Sequence, residues 1–338
     1  MLRRIGRIAS ALALAIALAA GWVAWDYSRF MASPLNLAKP RLVRLRPGMS
    51  LQTFGAKLVR AGVLRAPRDA RYLDWYARVT GAAARLKAGE YRLKPGLKPK
   101  GLVALLVSGQ AYEHRLTVVE GWTFRQMMQA VENAPAIKHT LQGDTGAQVM
   151  EALGHPDQSA EGRFFPDTYY FPRGTTDIAF LRRAFGKMQR VLAHEWQGRA
   201  SSLPFGTPDK ALILASIIQK ETAVPAERTK VAGVFVRRLK RGMRLQADPT
   251  VIYGLGSAYN GDITTRDLRT DTPYNTYRHS GLPPTPICLP GKAAIHAALH
   301  PQPGNALYFV ATGNGTHVFS DTLAQHDREV EKYQLHGH

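Results

Sequence analysis

The sequence predicts an α+β protein with an N-terminal transmembrane helix, followed by a small and a larger α+β domain. Three observations support this fold class. An unbroken apolar run of 18 residues, 8–25, is long enough to cross a bilayer as a helix. Segments with strand-like alternation and segments with helical periodicity are interspersed along the rest of the chain. The 338 residues, 45% hydrophobic and 21% charged, have the composition of a folded protein with more than one domain.

Composition also excludes several classes of protein. The single cysteine, Cys288, rules out an intrachain disulfide, a cysteine-based zinc site and CxxC redox chemistry. The chain contains no HExxH pattern or clustered Asp and His, so we expect neither metal nor cofactor in the chemistry. The formal net charge of +20 is compatible with nucleic-acid binding, but an exported chain argues against that partner. Anionic groups at a membrane or a plain solvated surface are the alternatives.

Residues 1–30 are predicted to be a cytoplasmic tip and a single membrane-spanning helix. Arginines precede the apolar run and favour an N-terminus inside the cell, while Trp22, Trp25 and Tyr27 form an aromatic belt at its far end. The small-x-small pattern at 17–19 offers an alternative, a cleavable signal peptide. We favour the uncleaved anchor because the apolar run continues beyond that point. Either way the remaining chain is exported.

Residues 31–40 are a predicted linker and residues 41–110 a small domain. Alternation predicts a strand over 41–45, Ser50 is a suitable cap for a helix that ends at Gly62, a second helix covers 67–80, and a strand covers 89–93. The predicted order is therefore strand, helix, helix, strand. This βααβ order resembles the LysM glycan-binding module, but a purely structural role is an equal alternative.

Residues 111–338 are predicted to form the larger α+β domain. A strand is expected over 112–119, Thr123 and Gln126 form a capping box, and Thr176 can start a long helix. The segment 161–174, EGRFFPDTYYFPRG, contains five aromatic residues and is interpreted as a loop. Its rings could stack on sugars, and the alternative is a packed surface loop.

Glu221 is the residue best placed for chemistry. Thr207 and Pro208 start a helix that must end before Pro225, and Glu221 is its last charged residue. The residues three, four and seven positions earlier are Ile218, Ile217 and Leu214, so the carboxyl group lies on the apolar face of the helix. Burial raises the pKa of a carboxyl group, as a general acid requires. The alternative is a carboxylate at a fraying helix end that binds backbone or Arg228.

Further candidates follow Glu221 in the sequence and could hold a substrate. Asp248 precedes Pro249 and is also interpreted as a helix N-cap. The segment 270–291 is rich in proline, tyrosine and hydroxyl groups, so it is predicted to be an irregular loop that lines a cleft or simply crosses the domain. The candidate substrate-binding residues are Gln246, Asp248, Tyr253, Tyr274, Asn275, Tyr277 and Ser280.

Several segments together resemble one family. They are IIQKETAVPAERTKVAGVFVRRLKRGMRLQADPTVIYG, YNTYRHSGLPPTPICLPG and YFVATGNGTHVFSDTLAQHDREV, with VVEGWT and EGRFFPDTYYFPRGT before them. From about residue 41 to near the C-terminus, the chain is similar to the MltG-type (YceG-like) endolytic murein transglycosylases. The family's catalytic glutamate, in its KET motif, falls on Glu221. Pro225 and Cys288 depart from the family pattern without touching the acid.

The resemblance implies an inner-membrane protein with its catalytic domain in the periplasm, where it cleaves nascent peptidoglycan between N-acetylmuramic acid and N-acetylglucosamine. The expected product carries a 1,6-anhydro ring, and the cut ends glycan elongation. Implied partners are peptidoglycan strands, the membrane and peptidoglycan synthases, with no nucleic acid. The alternative is a non-catalytic, membrane-tethered peptidoglycan-binding scaffold, which would not need an acid on an apolar helix face.

Overall fold

The computed structural model describes residues 2–141 and 145–335, and within them helices alternate with two-stranded sheets. The predicted mixed α+β class is confirmed. The chain divides into two compact units, Met1–His114 and Arg115–His338. Each unit has its own buried core.

The N-terminal helix α1 covers Leu2–Ala32. Within its segment Arg4–Ala32, a window of 18 residues has a mean hydropathy of 2.0 and is not buried against the protein, as expected of a helix that could cross a membrane. The helix is longer than the predicted apolar run because helical geometry continues through Asp26 and Arg29 until Pro34 follows. The residues after the apolar run are thus part of the same helix.

The rest of the first unit contains the predicted strand, helix, helix and strand, together with one additional helix. The elements are β1 (Arg41–Leu45), α2 (Leu51–Arg60), α3 (Pro67–Val79), β2 (Gly89–Leu93) and α4 (Pro99–Ser108). The strands are antiparallel, with Arg41 opposite Leu93 and Leu45 opposite Gly89. Helix α4, absent from the sequence prediction, starts at Pro99 and ends at Gly109, whose φ of 74° is in the left-handed region that favours glycine.

The end of α1 packs against α3. Asp26 accepts a hydrogen bond from the Tyr72 hydroxyl at 3.1 Å and pairs with Arg68 at 3.1 Å. The Tyr27 ring meets the rings of Tyr72 and Trp75 edge-on, at centroid distances of 5.5 and 5.0 Å. These contacts join the N-terminal helix to the rest of the first unit.

The second unit is built mainly of helices. Its elements are β3 (Glu113–Thr117, which begins just before the unit), α5 (Phe124–Glu132), α6 (Gly146–Leu153), β4 (Thr168–Pro172), α7 (Asp177–Gln197), α8 (Pro208–Glu221), α9 (Arg228–Lys240), α10 (Asp248–Leu255), α11 (Thr265–Arg269), α12 (Lys292–Leu299), β5 (Tyr308–Ala311), β6 (His317–Ser320) and α13 (Leu323–Val330). Short 3-10 turns cover Pro225–Glu227 and Gly256–Ala258 in this unit and Ala83–Arg85 in the first unit. A π-helical turn covers Glu331–Leu335. Strand β3 pairs with β4, and β5 pairs with β6.

Helix α8 is central to the second unit. Every residue from Ala211 to Ile218 is buried, and α8 shares one apolar cluster with α9 and α12. Residues 271–291 form neither helix nor strand, so the prediction of an irregular loop there is confirmed.

The aromatic segment 161–174 is largely packed into the core rather than forming a surface rim. Phe164, Phe165, Tyr169 and Phe171 are buried, and only Tyr170 of the five aromatic residues is exposed, at 51%. The segment is also not wholly a loop, because Thr168–Pro172 pairs with β3 as strand β4. Four of the five rings are therefore packed inside the protein, as the alternative to sugar stacking proposed, although they lie in the core and not in a surface loop.

Candidate active site

Glu221 is the last residue of α8, as the local sequence signals predict. The Thr207 side chain accepts a hydrogen bond from the Lys210 backbone N–H, and Pro208 occupies the first turn. After Glu221 the backbone becomes extended at Thr222 and leaves the helix. Leu214, Ile217 and Ile218 are fully buried, so Glu221 continues the apolar face of α8.

The surroundings of Glu221 favour its protonated form. Burial and, to a lesser extent, the negative charge of Asp248 raise the pKa of this carboxyl group to about 8, against the opposing effect of the positive charge of Arg238. Arg228 does not pair with Glu221, since its guanidinium lies 3.7 Å from Glu120 instead. Glu221 is therefore a carboxylic acid that still holds its proton at neutral pH.

Asp248 lies near this acid, but not in the role of helix cap. The N-cap of α10 is Ala247, and Asp248 is already the first helical residue, so the predicted N-cap role is wrong. The backbone adopts its extended cap conformation one residue earlier than expected. The Asp248 carboxylate instead accepts a 2.6 Å hydrogen bond from the Tyr277 hydroxyl. Burial, and then Asp248, raise the pKa of Tyr277 well above its usual range.

Arg238 is a buried cation beside the site that the sequence analysis did not single out. Its Nε donates to the Leu307 carbonyl and its Nη1 to the Leu245 carbonyl, both at 2.7 Å. The same nitrogen Nη1 lies 3.4 Å from Oε1 of Gln246. The signal was present in the sequence, because apolar residues, Phe235, Val234 and Val231, occur three, four and seven positions before Arg238.

Gln246 has a left-handed backbone, with φ of 51°. That conformation is costly for a residue with a Cβ, and strain of this kind concentrates at functional sites. The Gln246 N–H donates to the Thr276 carbonyl at 3.2 Å. This hydrogen bond holds the Gln246 backbone against the irregular segment 270–291, called the proline-rich loop below. The exposed Gln246 side chain thus has a fixed position beside Arg238.

The proline-rich loop brings other candidate residues to different places. Asn275 is fully buried, donates to the Leu268 and Thr270 carbonyls and accepts from the Tyr277 N–H. Its amide therefore holds the loop in shape. Ser280 is exposed, in the middle of the same segment of the sequence.

Tyr253 and Tyr274 form a second group around a buried acid, Glu161. The two tyrosine rings meet edge-on at 4.8 Å, and the Tyr253 hydroxyl donates to Glu161 at 3.2 Å. Glu161 also accepts from the Phe124 N–H at 2.9 Å, yet burial raises the pKa of its carboxyl group to about 7. Glu161 is not predictable as a site residue from the sequence, because its partners are distant along the chain and no local periodicity indicates its burial.

The structure therefore divides the candidates. Glu221, Asp248 and Tyr277 interact with one another, and Gln246 joins them through Arg238. Such a set provides a proton donor, a nearby negative charge and a hydroxyl group. It is suited to protonate a leaving oxygen while positive charge develops next to it.

Comparisons with known proteins agree with this chemistry. The model of the YceG-like family matches residues 43–332. A protein named endolytic murein transglycosylase from Bacillus subtilis (strain 168) is 30% identical over 332 residues, covering 92% of this chain and 90% of the relative. A protein of the same name from Streptococcus pneumoniae serotype 2 is 28% identical over 356 residues, covering 95% of this chain and 63% of the relative. The 2.6 Å crystal structure of a YceG-like protein from Listeria monocytogenes is 28% identical, with a TM-score of 0.55, and the match covers 86% of this chain and 99% of that one.

Proposed function

Because this chain belongs to the YceG-like family, we propose that Glu221 is the general acid with which it cleaves peptidoglycan. The protein is a peptidoglycan lytic transglycosylase, the activity in the names of its curated relatives. The observation that carries the assignment of Glu221 is its place at the end of α8, where burial raises the pKa of its carboxyl group to about 8. A group with that pKa holds a transferable proton at neutral pH.

The proposed reaction takes place at the bond between N-acetylmuramic acid and N-acetylglucosamine. Glu221 gives its proton to the glycosidic oxygen, the bond from the muramyl C1 breaks, and positive charge develops on the ring. The Glu221 carboxylate then takes the proton of the muramyl C6 hydroxyl as that oxygen bonds to C1. A 1,6-anhydro ring closes, no water is consumed, and the acid regains its proton.

Negative charge next to Glu221 fits the charge that develops in this reaction. Asp248 stabilises positive charge on the sugar, and the Tyr277 hydroxyl at 2.6 Å keeps the Asp248 carboxylate in place. Gln246, Tyr253, Tyr274 and Ser280 remain proposed substrate-binding residues, whereas Asn275, whose buried amide is used within the loop, is proposed to act only by holding the loop in shape. Among these, Gln246 is the one tied to the acid's neighbour Arg238.

The first test is the Glu221→Gln variant, which keeps the size of the side chain but cannot donate a carboxylic proton. We expect glycan cleavage to fall by about 10² to 10⁴, the usual contribution of general acid catalysis. Zymography with purified sacculi measures the loss, and circular dichroism checks the fold. Mass spectrometry of the wild-type product should find muramyl ends lighter than hydrolysis products by one water and resistant to borohydride.

The matched control is Glu151→Gln, which makes the same change at an exposed glutamate of α6. It should cleave like the wild type. Near-normal cleavage by Glu221→Gln would remove Glu221 from the mechanism, and mainly reducible ends would assign a hydrolase with Asp248 as the second carboxylate. The scaffold alternative is not favoured, because the curated relatives are named as enzymes.

We also propose that α1 anchors the protein in the inner membrane with its N-terminus inside and the second unit in the periplasm. The exposed apolar surface of α1 and the arginines before it support this topology. The strand, helix, helix, strand order supports a LysM-like role of the first unit in glycan binding. At the membrane the enzyme would cut nascent strands, end their elongation and work beside peptidoglycan synthases.

A further inference from the structure

A cluster of two histidines and a buried glutamate lies in the second unit, apart from the residues assigned to the reaction. Glu195, in the last turn of α7, is 6% exposed. Nδ1 of His296, on α12, lies 2.8 Å from Oε2 of Glu195. The ring of His300, just after α12, stacks on the ring of His296 at 4.3 Å. Lys292 and His194 each approach the other Glu195 oxygen to 3.5 Å.

The arrangement has the chemistry of a transition-metal site. One ligand atom from each of Glu195, His296 and His300 lies within 4.8 Å of the others. A tetrahedral zinc ion with bonds of about 2.1 Å holds its ligand atoms roughly 3.4 Å apart. No two of these ligand atoms therefore need to approach each other by more than about 1.4 Å. Rotation about side-chain bonds can supply such a movement. His296 and His300 are four residues apart, a spacing common among zinc-binding histidines, with His296 on α12 and His300 at the C-cap of that helix.

We propose that Glu195, His296 and His300 form a zinc-binding site, with a water molecule as the fourth ligand. The expectation of no metal rests on the lack of clustered ligands in the sequence, whereas the glutamate of this cluster comes from a separate helix. Zinc would bridge the end of α7 and α12, and α12 packs on α8 in the same apolar cluster. We therefore expect bound zinc to stabilise the fold, and none of its three ligands is assigned a role in the glycan reaction.

The test uses the full-length protein in detergent, with His336 and His338 replaced by alanine in every sample to remove metal binding by the C-terminus. Zinc alone is titrated in competition with a chromophoric chelator, and cobalt is added separately for its visible spectrum. We expect one equivalent of zinc to bind, and a tetrahedral cobalt spectrum. At free zinc about a hundred times Kd, the melting temperature should rise by roughly 5 to 10 °C.

Two variants separate a metal site from a plain ion-pair cluster. His300→Ala removes one proposed ligand but keeps the hydrogen bond between His296 and Glu195, and it should lose the zinc binding and the thermal shift. His139→Ala, at an exposed histidine of the same unit, should retain both. Absence of saturable zinc binding by the parent protein, or equal binding by the two variants, would overturn the proposal and leave an ion-pair cluster only.

Discussion

At the scale of single residues, the proton on Glu221 links catalysis to stability. In the unfolded chain this carboxyl group has a pKa of about 4.3, whereas in the folded protein the pKa is about 8. The folded state therefore binds the proton more tightly, and the protein loses stability as the pH rises between these two values. Below both values the carboxyl group is protonated in either state and the difference vanishes.

The pH dependence of the Glu221→Gln variant checks this argument. A glutamine cannot ionise, so the variant should melt close to the wild type near pH 4 and above it at pH 8 to 9, with the gap opening between. Thermal melts of both proteins across this pH range provide the measurement. Parallel melting curves at all pH values would mean that ionisation of Glu221 does not oppose folding.

Some site residues could be predicted from the sequence and others could not. The apolar face behind Glu221 follows from helical spacing alone, and the same spacing would have found Arg238. Glu161 is different, since its hydrogen-bond partners Phe124 and Tyr253 become neighbours only when the chain folds. The left-handed backbone of Gln246 likewise depends on a contact with Thr276, not on local propensity.

At the scale of elements, α8 positions the proline-rich loop as well as the acid. The Ser216 hydroxyl donates to the Ile213 carbonyl at 2.7 Å and accepts from the Ile287 N–H at 3.0 Å. One turn later, the Gln219 side chain accepts from the Gly291 N–H at 3.0 Å. Both hydrogen bonds to the loop satisfy backbone groups that have no regular secondary structure to pair with.

The Ser216→Ala variant tests this attachment. It leaves the buried Ile287 N–H without its partner, which should cost about 1 to 3 kcal/mol. For a unit of this size the melting temperature should fall by roughly 2 to 4 °C for each kcal/mol. Calorimetry beside Ser201→Ala, a change at an exposed serine, measures the difference. Equal melting temperatures for the two variants would contradict a supporting role for Ser216.

Helix starts were predicted well because their signals are local. Ser50, Thr123, Thr176 and Thr207 each accept a hydrogen bond from the backbone three residues later, as their sequence contexts indicate. The start of α10 was displaced by one residue, since the choice between Ala247 and Asp248 depends on the backbone rather than on side-chain preference. The packing of α3 against α1 could not be predicted from local patterns, because it joins residues that are more than 40 positions apart in the sequence.

At the scale of the whole molecule, the proposed topology predicts the behaviour of reporter fusions. A reporter enzyme that works only in the periplasm should be active when fused to the C-terminus, and one that works only in the cytoplasm should be inactive there. Mass spectrometry of the membrane fraction should recover a chain that retains its N-terminal arginines. A soluble form that begins after Ala19 would instead identify a cleaved signal peptide.

The packing of α1 against α3 limits how far the rest of the first unit can lie from the membrane. Beyond Trp25, the helix continues for only about 10 Å to Ala32, and Asp26 and Tyr27 in that stretch already contact α3. With α1 in a bilayer, the rest of the first unit is therefore attached to the membrane by a short continuous helix rather than by a flexible linker. In that arrangement it would lie close to the lipid headgroups, and any glycan that it contacts would lie near the lipid surface.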